Sequence, residues 1–243
     1  THQTLITNGM HSICSGAISA NLVHRSGMKD HLDHEQSECA SEVLIRTALM
    51  RHLASLGRSQ KCILALEAVY RFENRRADLL QLDDFSHAFE IKSDYDNTSR
   101  LPGQLAEYSR TFDLVSVVTT PRLLPEVRKI TPRRVGLMVY RCGKVELVRK
   151  PAINKQLSKF HLAGGTTKAR LLDMLPGPFK NRDAAEVRGE AARVLTTKVL
   201  RNLFHSELID RFAASSEIFF TETDAEISSE DLLLLRRSSR LFA

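Results

Sequence analysis

Apolar and polar positions along the first 150 residues predict an alternation of helices and strands. Apolar residues recur at helical spacing from Ser41 to Leu56, and Gly57 suits the end of that helix. Two more helices are predicted at 100–111 and 121–129. Short apolar or alternating runs predict strands at 62–66, 76–82, 86–92, 114–119, 135–140 and 144–148. This mixture indicates an α/β domain.

The pattern becomes helical after Pro151, with helices predicted at 166–175 and within 184–212. The first residues are polar and weakly periodic, and the last combine an acidic run with a basic one. We therefore divide the chain into a flexible N-terminal arm, an α/β core, a helical C-terminal subdomain and a loosely ordered tail, at 1–36, 37–150, 151–220 and 221–243.

The composition is that of an ordinary soluble globular protein, with 42% hydrophobic and 26% charged residues among 243. No apolar run approaches the roughly 18 residues of a membrane span, and residues 1–30 lack a basic-then-apolar signal pattern. The four cysteines are widely spaced and form no Cys-x-x-Cys pair, which favours a reducing environment. We expect a cytoplasmic protein that makes no contact with a membrane.

Positive charge is concentrated in one stretch of the chain. The net charge is +6, but residues 121–170 hold 13 Lys or Arg against two acids, Glu126 and Glu146. The remainder holds 22 basic and 27 acidic residues. A basic stretch of this kind attracts phosphate groups and so indicates nucleic acid as a partner. The alternative is a solvated basic face with no ligand.

The strands predicted at 76–82 and 86–92 carry the candidate chemistry, and a turn at 83–85 joins them. With a three-residue loop, Asp78 falls directly opposite Glu90. Glu90 and Lys92 share a face because side chains alternate along a strand. Opposed carboxylates repel each other, and a divalent cation relieves the repulsion because hard cations bind carboxylate oxygens. A loop of two or four residues would separate the two acids.

An extended run of residues around this hairpin resembles one nuclease superfamily. The run is Arg76-Ala-Asp78, Phe89-Glu-Ile-Lys-Ser-Asp94, Asp96-Asn-Thr-Ser-Arg-Leu-Pro-Gly-Gln104 and Tyr108. Residues 40–140 are similar to the catalytic core of the PD-(D/E)XK nucleases, and more narrowly to a group of poorly characterised bacterial and phage proteins among them. Ala77 stands where the superfamily name has Pro. The resemblance implies a restriction-endonuclease-like core with a mixed central sheet flanked by helices.

The resemblance also implies roles for the residues of the motif. Asp78 and Glu90 would bind Mg²⁺, or Mn²⁺ in its place, and the backbone carbonyl of Ile91 would be a further ligand. Lys92 would assist the attacking water. This is metal-assisted hydrolysis of a phosphodiester bond.

Looser similarities to the superfamily suggest roles beside the metal site for four further residues. Glu42 resembles an additional acid that many members carry on a helix near the metal, with Glu67 as the competing candidate. A surface carboxylate at a helix start is the alternative for Glu42. Gln104 and Tyr108 share a helix face, and their spacing is similar to a Gln-x-x-x-Tyr element beside the site of exonuclease-like members. The alternative is a buried Tyr108 packed on the sheet with Gln104 at the surface.

The remaining candidates are cations that would hold a nucleic-acid backbone. Arg76 shares the face of Asp78, and Arg100 lies at the start of the helix after the motif. Each has pairing with a nearby acid as its alternative. The predicted basic hairpin supplies three more cations, Arg134, Arg141 and Lys144. Backbone contacts carry no sequence specificity.

These observations predict a Mg²⁺-dependent nuclease, with DNA as the favoured substrate. The alternative is a non-catalytic or partner-dependent nucleic-acid-binding or regulatory component of phage defence or of a mobile element. The C-terminal helices would then contact a protein partner or a second copy of the chain. The sequence contains no Gly-rich phosphate loop followed by Lys-Ser and no Gly-x-Ser-x-Gly motif, which argues against the enzyme classes that use them.

Overall fold

The structure is a computed structural model, and it describes residues 39–60, 62–71, 75–179, 181–223 and 226–242. The flexible arm predicted at 1–36 lies outside the described residues. The strands are β1 (Ile63–Arg71), β2 (Arg75–Leu82), β3 (Ser86–Lys92), β4 (Leu114–Thr119), β5 (Gly136–Arg141) and β6 (Lys144–Arg149). The α-helices are α1 (Glu42–Gln60), α2 (Leu101–Thr111), α3 (Leu124–Ile130), α4 (Lys159–Gly164), α5 (Lys168–Leu172), α6 (Ala184–Val194) and α7 (Thr197–Glu222). A 3₁₀ helix follows at Asp231–Phe242.

The six strands form one mixed sheet in which neighbours in sequence are neighbours in space. β3, β4 and β5 are parallel, and α2 and α3 provide the two crossovers between them. The remaining pairs, β1–β2, β2–β3 and β5–β6, are antiparallel. The predicted α/β fold with a mixed central sheet flanked by helices is therefore confirmed.

The sheet separates two hydrophobic cores, because alternate side chains of a strand point to opposite faces. Leu80 and Val117 belong to the core that α2 and the C-terminal helices cover. Leu79 and Val118 belong to the core covered by α1, the end of α7 and the 3₁₀ helix. The continuous apolar sequence of β4 follows from burial on both faces.

The turn between β2 and β3 is held from both sides. The carboxylate of Asp83 accepts a hydrogen bond from the main-chain N–H of Phe85 at 2.8 Å, which closes the three-residue loop. Asp113, just before β4, accepts from the N–H and the hydroxyl of Ser86 at 2.9 Å each. Arg201 of α7 donates to Asp113 at 2.6 and 3.0 Å. The C-terminal helices thereby fix the hairpin that carries the candidate site.

The region predicted as helical at 184–212 is two helices, and the second is longer than predicted. The hydroxyl of Thr196 accepts a hydrogen bond from a main-chain N–H in the first turn of α7, which starts the helix there. α7 runs on to Glu222, so the boundary placed at 220 falls inside it.

Part of the segment predicted as a loosely ordered tail contributes to a core. Ile227, Leu232 and Leu235 are buried in the core that α1 covers. Burial of these three apolar side chains stabilises the packing of the segment against the sheet.

None of the described helices is both long enough and apolar enough to cross a membrane.

Candidate functional site

The hairpin of β2 and β3 has the register that opposes the two candidate acids. Leu82 pairs with Ser86 and Leu79 with Phe89. Continuing this register by one residue puts Asp78 opposite Glu90, so the predicted three-residue loop is confirmed. The main-chain N–H of Ile91 donates to Oδ2 of Asp78 at 2.9 Å, beyond the last ladder pair.

Glu90 lies at the centre of a buried polar cluster and is 1% exposed. Nζ of Lys92 lies 2.7 Å from Oε1 of Glu90. The hydroxyl of Tyr108 donates to Oε2 of Glu90 at 2.9 Å and lies 3.2 Å from the carbonyl of Arg76. Both carboxylate oxygens of Glu90 therefore have a donor from the protein. We call Asp78, Glu90 and Lys92 the acid–lysine cluster.

The acid–lysine cluster changes the protonation of Asp78. Burial and the neighbouring charge of Glu90 raise the pKa of Asp78 to about 7, against the opposing effects of the Ile91 N–H and the Lys92 ammonium. Glu42 adds to the rise. A carboxyl group with a pKa near neutrality ionises more readily when a cation binds beside it.

Glu42 and Glu67, the two candidates for the additional acid near the metal, form ion pairs with the same arginine. Arg46 of α1 forms ion pairs with Glu42 and, at 2.8 Å, with Oε1 of Glu67. Glu67 also lies 2.7 Å from Nε of Arg76. Its φ of 50° is in the left-handed region, which a non-glycine residue adopts only when its surroundings impose it. In the β1–β2 register, the pairs on either side of Glu67 place it opposite Asp78.

Arg46 was not among the sequence-based candidates. It lies on α1 between Ile45 and Thr47 and is 6% exposed. The available signal was the spacing of four between Glu42 and Arg46, which allows an ion pair along a helix. That spacing does not reveal Glu67 as the second partner, because the contact depends on how α1 packs on β1.

The helix after the motif brings Tyr108 to the cluster. Tyr108 is buried and reaches Glu90, and burial with the charges of Glu90 and Asp78 raises its pKa well above the usual value. Gln104 lies one turn earlier, and its buried Oε1 has no hydrogen-bond partner among the described residues. Arg100, the residue before α2, is exposed and forms no ion pair within the described part of the chain. Of the acids near Arg100 in sequence, Asp94 pairs instead with Arg122 at 2.9 Å.

The three cations of the basic hairpin do not lie together. Arg141 and Lys144 pair across the tip of the β5–β6 hairpin, where Cys142 and Gly143 both have positive φ. Arg134 precedes β5 and so lies at the other end of the strand, about 20 Å away at 3.3 Å per residue. Its guanidinium donates to Gln156 at 3.2 Å.

The tip of the β5–β6 hairpin and the acid–lysine cluster lie at the same end of the sheet, where the parallel strands finish. Lys92 pairs with Thr119, and Thr119 pairs with Val139. Arg141 follows Val139 by two residues, and two strand spacings separate it from β3, about 10 Å. We call Arg141 and Lys144 the tip cations.

The residue types of the cluster suit a hard cation, since Asp78 and Glu90 offer carboxylate oxygens and the main chain of Ile91 lies beside Asp78. Burial and the charge of Glu90 raise the pKa of Asp78, and a bound cation would offset the repulsion from Glu90 but not the cost of burial. In the described residues no three histidine, cysteine, aspartate or glutamate side chains form a group that could hold a metal ion. Lys92 and Tyr108 each donate to one oxygen of Glu90, so a cation at Asp78 and Glu90 would share these oxygens with them.

The fold and the site define an α/β protein whose mixed six-stranded sheet carries a buried acid–lysine cluster. A family model described as bacteriophage P4 protein cII matches residues 35–236. Protein cII of Enterobacteria phage P4 is 30% identical over 216 residues, which are 84% of this chain and 81% of that protein. The chain therefore belongs to the phage P4 cII family.

One solved structure is also similar, that of the SPO1766 protein of unknown function from Silicibacter pomeroyi. The TM-score is 0.35 at 21% sequence identity, over 46% of this chain and 74% of that one. The resemblance to the PD-(D/E)XK superfamily, and with it the assigned catalytic roles, stay predictions.

Proposed function

We propose that this chain is a nucleic-acid-binding component of a phage or mobile element, with DNA as the favoured ligand and with a regulatory or partner-dependent role. The observation that carries the proposal is the pair of exposed tip cations, Arg141 and Lys144, which oppose each other without a carboxylate partner in the described residues. Like charges directly opposed cost free energy, and a phosphate group between them removes that cost. Similarity to a bacteriophage protein supports the phage connection.

The internal bonding of the acids favours this proposal over catalysis. Lys92 and Tyr108 occupy both oxygens of Glu90, and Arg46 engages both Glu42 and Glu67. A buried polar network with its partners in place stabilises one arrangement of a core. The cluster thus has a role in the fold that requires no reaction.

A binding assay tests the proposal. Fluorescence anisotropy would measure the affinity for duplex DNA, single-stranded DNA and RNA at several salt concentrations. We expect the Arg141→Gln, Lys144→Gln double variant to lower the slope of log K against log salt by about one, since a phosphate contact contributes about 0.9. The matched control is Arg193→Gln with Lys198→Gln, which removes the same charge from exposed positions of the C-terminal helices. Absence of binding by the unaltered protein would refute the proposal.

We propose metal-dependent hydrolysis of a phosphodiester as the second candidate function. It is favoured by the opposition of Asp78 and Glu90 beside Lys92, in an order of helix, three strands, helix and strand. Asp78, Glu90 and the Ile91 carbonyl would hold Mg²⁺, which would supply a nucleophilic water and neutralise charge on the phosphate. Lys92, released from Glu90, would orient that water or stabilise the charge that develops.

Cleavage and stability measured together test this second function. Supercoiled DNA, single-stranded DNA and RNA would be incubated with Mg²⁺, Mn²⁺ or EDTA, and thermal unfolding would be followed under the same conditions at pH 8. We expect metal to raise Tm in the unaltered protein and not in Asp78→Asn, because ligand binding stabilises the folded state. Binding of DNA with neither cleavage nor a metal-dependent Tm would leave the first function standing and exclude the second.

A further inference from the structure

A second group of cations lies at the end of the sheet opposite the acid–lysine cluster. Arg128 is in the last turn of α3, and Arg133 is in the loop that leads to β5. Arg149 ends β6, where it pairs with Leu137 near the start of β5. We call Arg128, Arg133 and Arg149 the arginine cluster. Three separate elements of the fold bring it together.

The guanidinium of Arg149 is held in a fixed position by the main chain. Its Nε donates to the carbonyl of Val135 at 2.8 Å, and its Nη2 donates to the carbonyl of Pro132 at 3.0 Å. These bonds use two of the five N–H donors of an arginine. The other three have no partner within the described residues. A guanidinium positioned in this way loses little entropy when it binds a ligand.

The positive charge of the arginine cluster has no acidic partner within the described residues, although Arg149 is half-buried. None of the three forms an ion pair with a carboxylate in the part of the chain that the structure describes. Burial, and then the charges of Arg128 and Arg133, lower the pKa of Arg149. Like charges without acidic partners favour an anion between them.

We propose that Arg128, Arg133 and Arg149 bind a phosphate of the nucleic-acid backbone, as a second contact remote from the tip cations. The inference rests on the proposed binding of nucleic acid. β5 has six residues and spans about 20 Å between the two groups of cations. A duplex rises 3.4 Å per base pair, so about six base pairs separate the two contacts. A ligand longer than this engages both ends of the β5–β6 hairpin.

The dependence of affinity on duplex length tests this arrangement. Stem-loop DNAs with 5 and 20 base pairs would be titrated by fluorescence anisotropy over a range of salt concentrations. The variant is Arg128→Gln with Arg133→Gln, since both side chains are exposed, whereas Arg149 also holds the loop. We expect it to lose most of the affinity gained on lengthening the stem, and to lower the salt slope on the long stem by about one, since one phosphate contact is lost. The control is again Arg193→Gln with Lys198→Gln.

Each other outcome would count against the arginine cluster. If the variant keeps the salt slope and the length dependence of the control, the cluster does not contact nucleic acid. If the tip-cation variant nevertheless binds DNA more weakly than the unaltered protein, the proposed function is supported and only the inference about the arginine cluster is refuted. If the unaltered protein binds no nucleic acid, both fall. Competition by poly-glutamate as effective as that by DNA would assign the cluster to an acidic protein partner instead.

Discussion

The two hairpins of the sheet use charge in opposite ways. In the β2–β3 hairpin, Glu90 and Lys92 are buried and paired with each other, and Glu90 also accepts a hydrogen bond from Tyr108. In the β5–β6 hairpin, Arg141 and Lys144 are exposed and face each other, and none of the described acids pairs with either. The first hairpin has its charges compensated within the protein, and the second leaves its charges to solvent or to a ligand.

This difference follows from position in the sheet. β3 is an inner strand with helices over both faces, so a charge there needs a partner because the surrounding dielectric is low. β6 is an edge strand, where water screens charge and like charges can coexist. Stability should therefore depend on the first hairpin and binding on the second.

The largest effect is expected from removing one partner of the buried pair. Lys92→Met leaves the carboxylate of Glu90 uncompensated, and we expect a loss of about 3–5 kcal/mol in the free energy of unfolding at pH 7. Urea unfolding followed by circular dichroism measures it. The double variant Lys92→Met, Glu90→Gln should recover much of the loss, because no buried charge remains. A single variant as stable as the unaltered protein would show that the pair is solvated.

A smaller effect is expected from Asp78, with a defined pH dependence. Its pKa of about 7 in the folded protein lies above the unfolded value of about 3.9, so the folded state holds the proton more tightly. The free energy of unfolding should fall as pH rises from about 4 and level off above about 7. Asp78→Asn keeps an acceptor for the Ile91 N–H and should remove this dependence, gaining about 1–3 kcal/mol relative to the unaltered protein at pH 8. Urea unfolding of both proteins at pH 5 and pH 8 measures this pH dependence. An equal change in the free energy of unfolding between the two pH values in both proteins would contradict the prediction.

The smallest effect on stability is expected at the hairpin tip. Arg141→Gln with Lys144→Gln should change the free energy of unfolding by less than about 0.5 kcal/mol, with a gain the expected sign because opposed like charges are removed. Thermal unfolding at low and high salt measures this, and the gain should vanish at high salt. A loss of more than 1 kcal/mol would mean that these cations hold the fold, and the contrast between the hairpins would fail.

The sequence was sufficient for the hairpin of the candidate site because the information is local. Asp83 favours a turn through its own side chain, and the turn length fixes which residues face each other. The helix face shared by Gln104 and Tyr108 follows from helical spacing alone. Apolar patterning likewise predicted the six strands, since each face of the sheet is covered.

Other features of the site depend on contacts between distant parts of the chain. Arg46 binds both acids that were weighed for the additional position, which follows from the packing of α1 on the sheet. Arg134 and Arg141 are close in sequence but lie at opposite ends of a strand. The end of α7 was placed too early because its last turns are buried against the core covered by α1, where Phe219 packs.

By itself the sequence predicted the α/β fold and the opposition of Asp78 and Glu90, since short-range patterns and turn chemistry encode these. The mixed sheet was expected from the family resemblance. The tertiary structure decided which charges are compensated and which are left available. That distinction depends on burial and on partners far apart in sequence, such as Tyr108 for Glu90. The arginine cluster has the same origin, because only the crossover through α3 brings Arg128 and Arg133 to the end of β6.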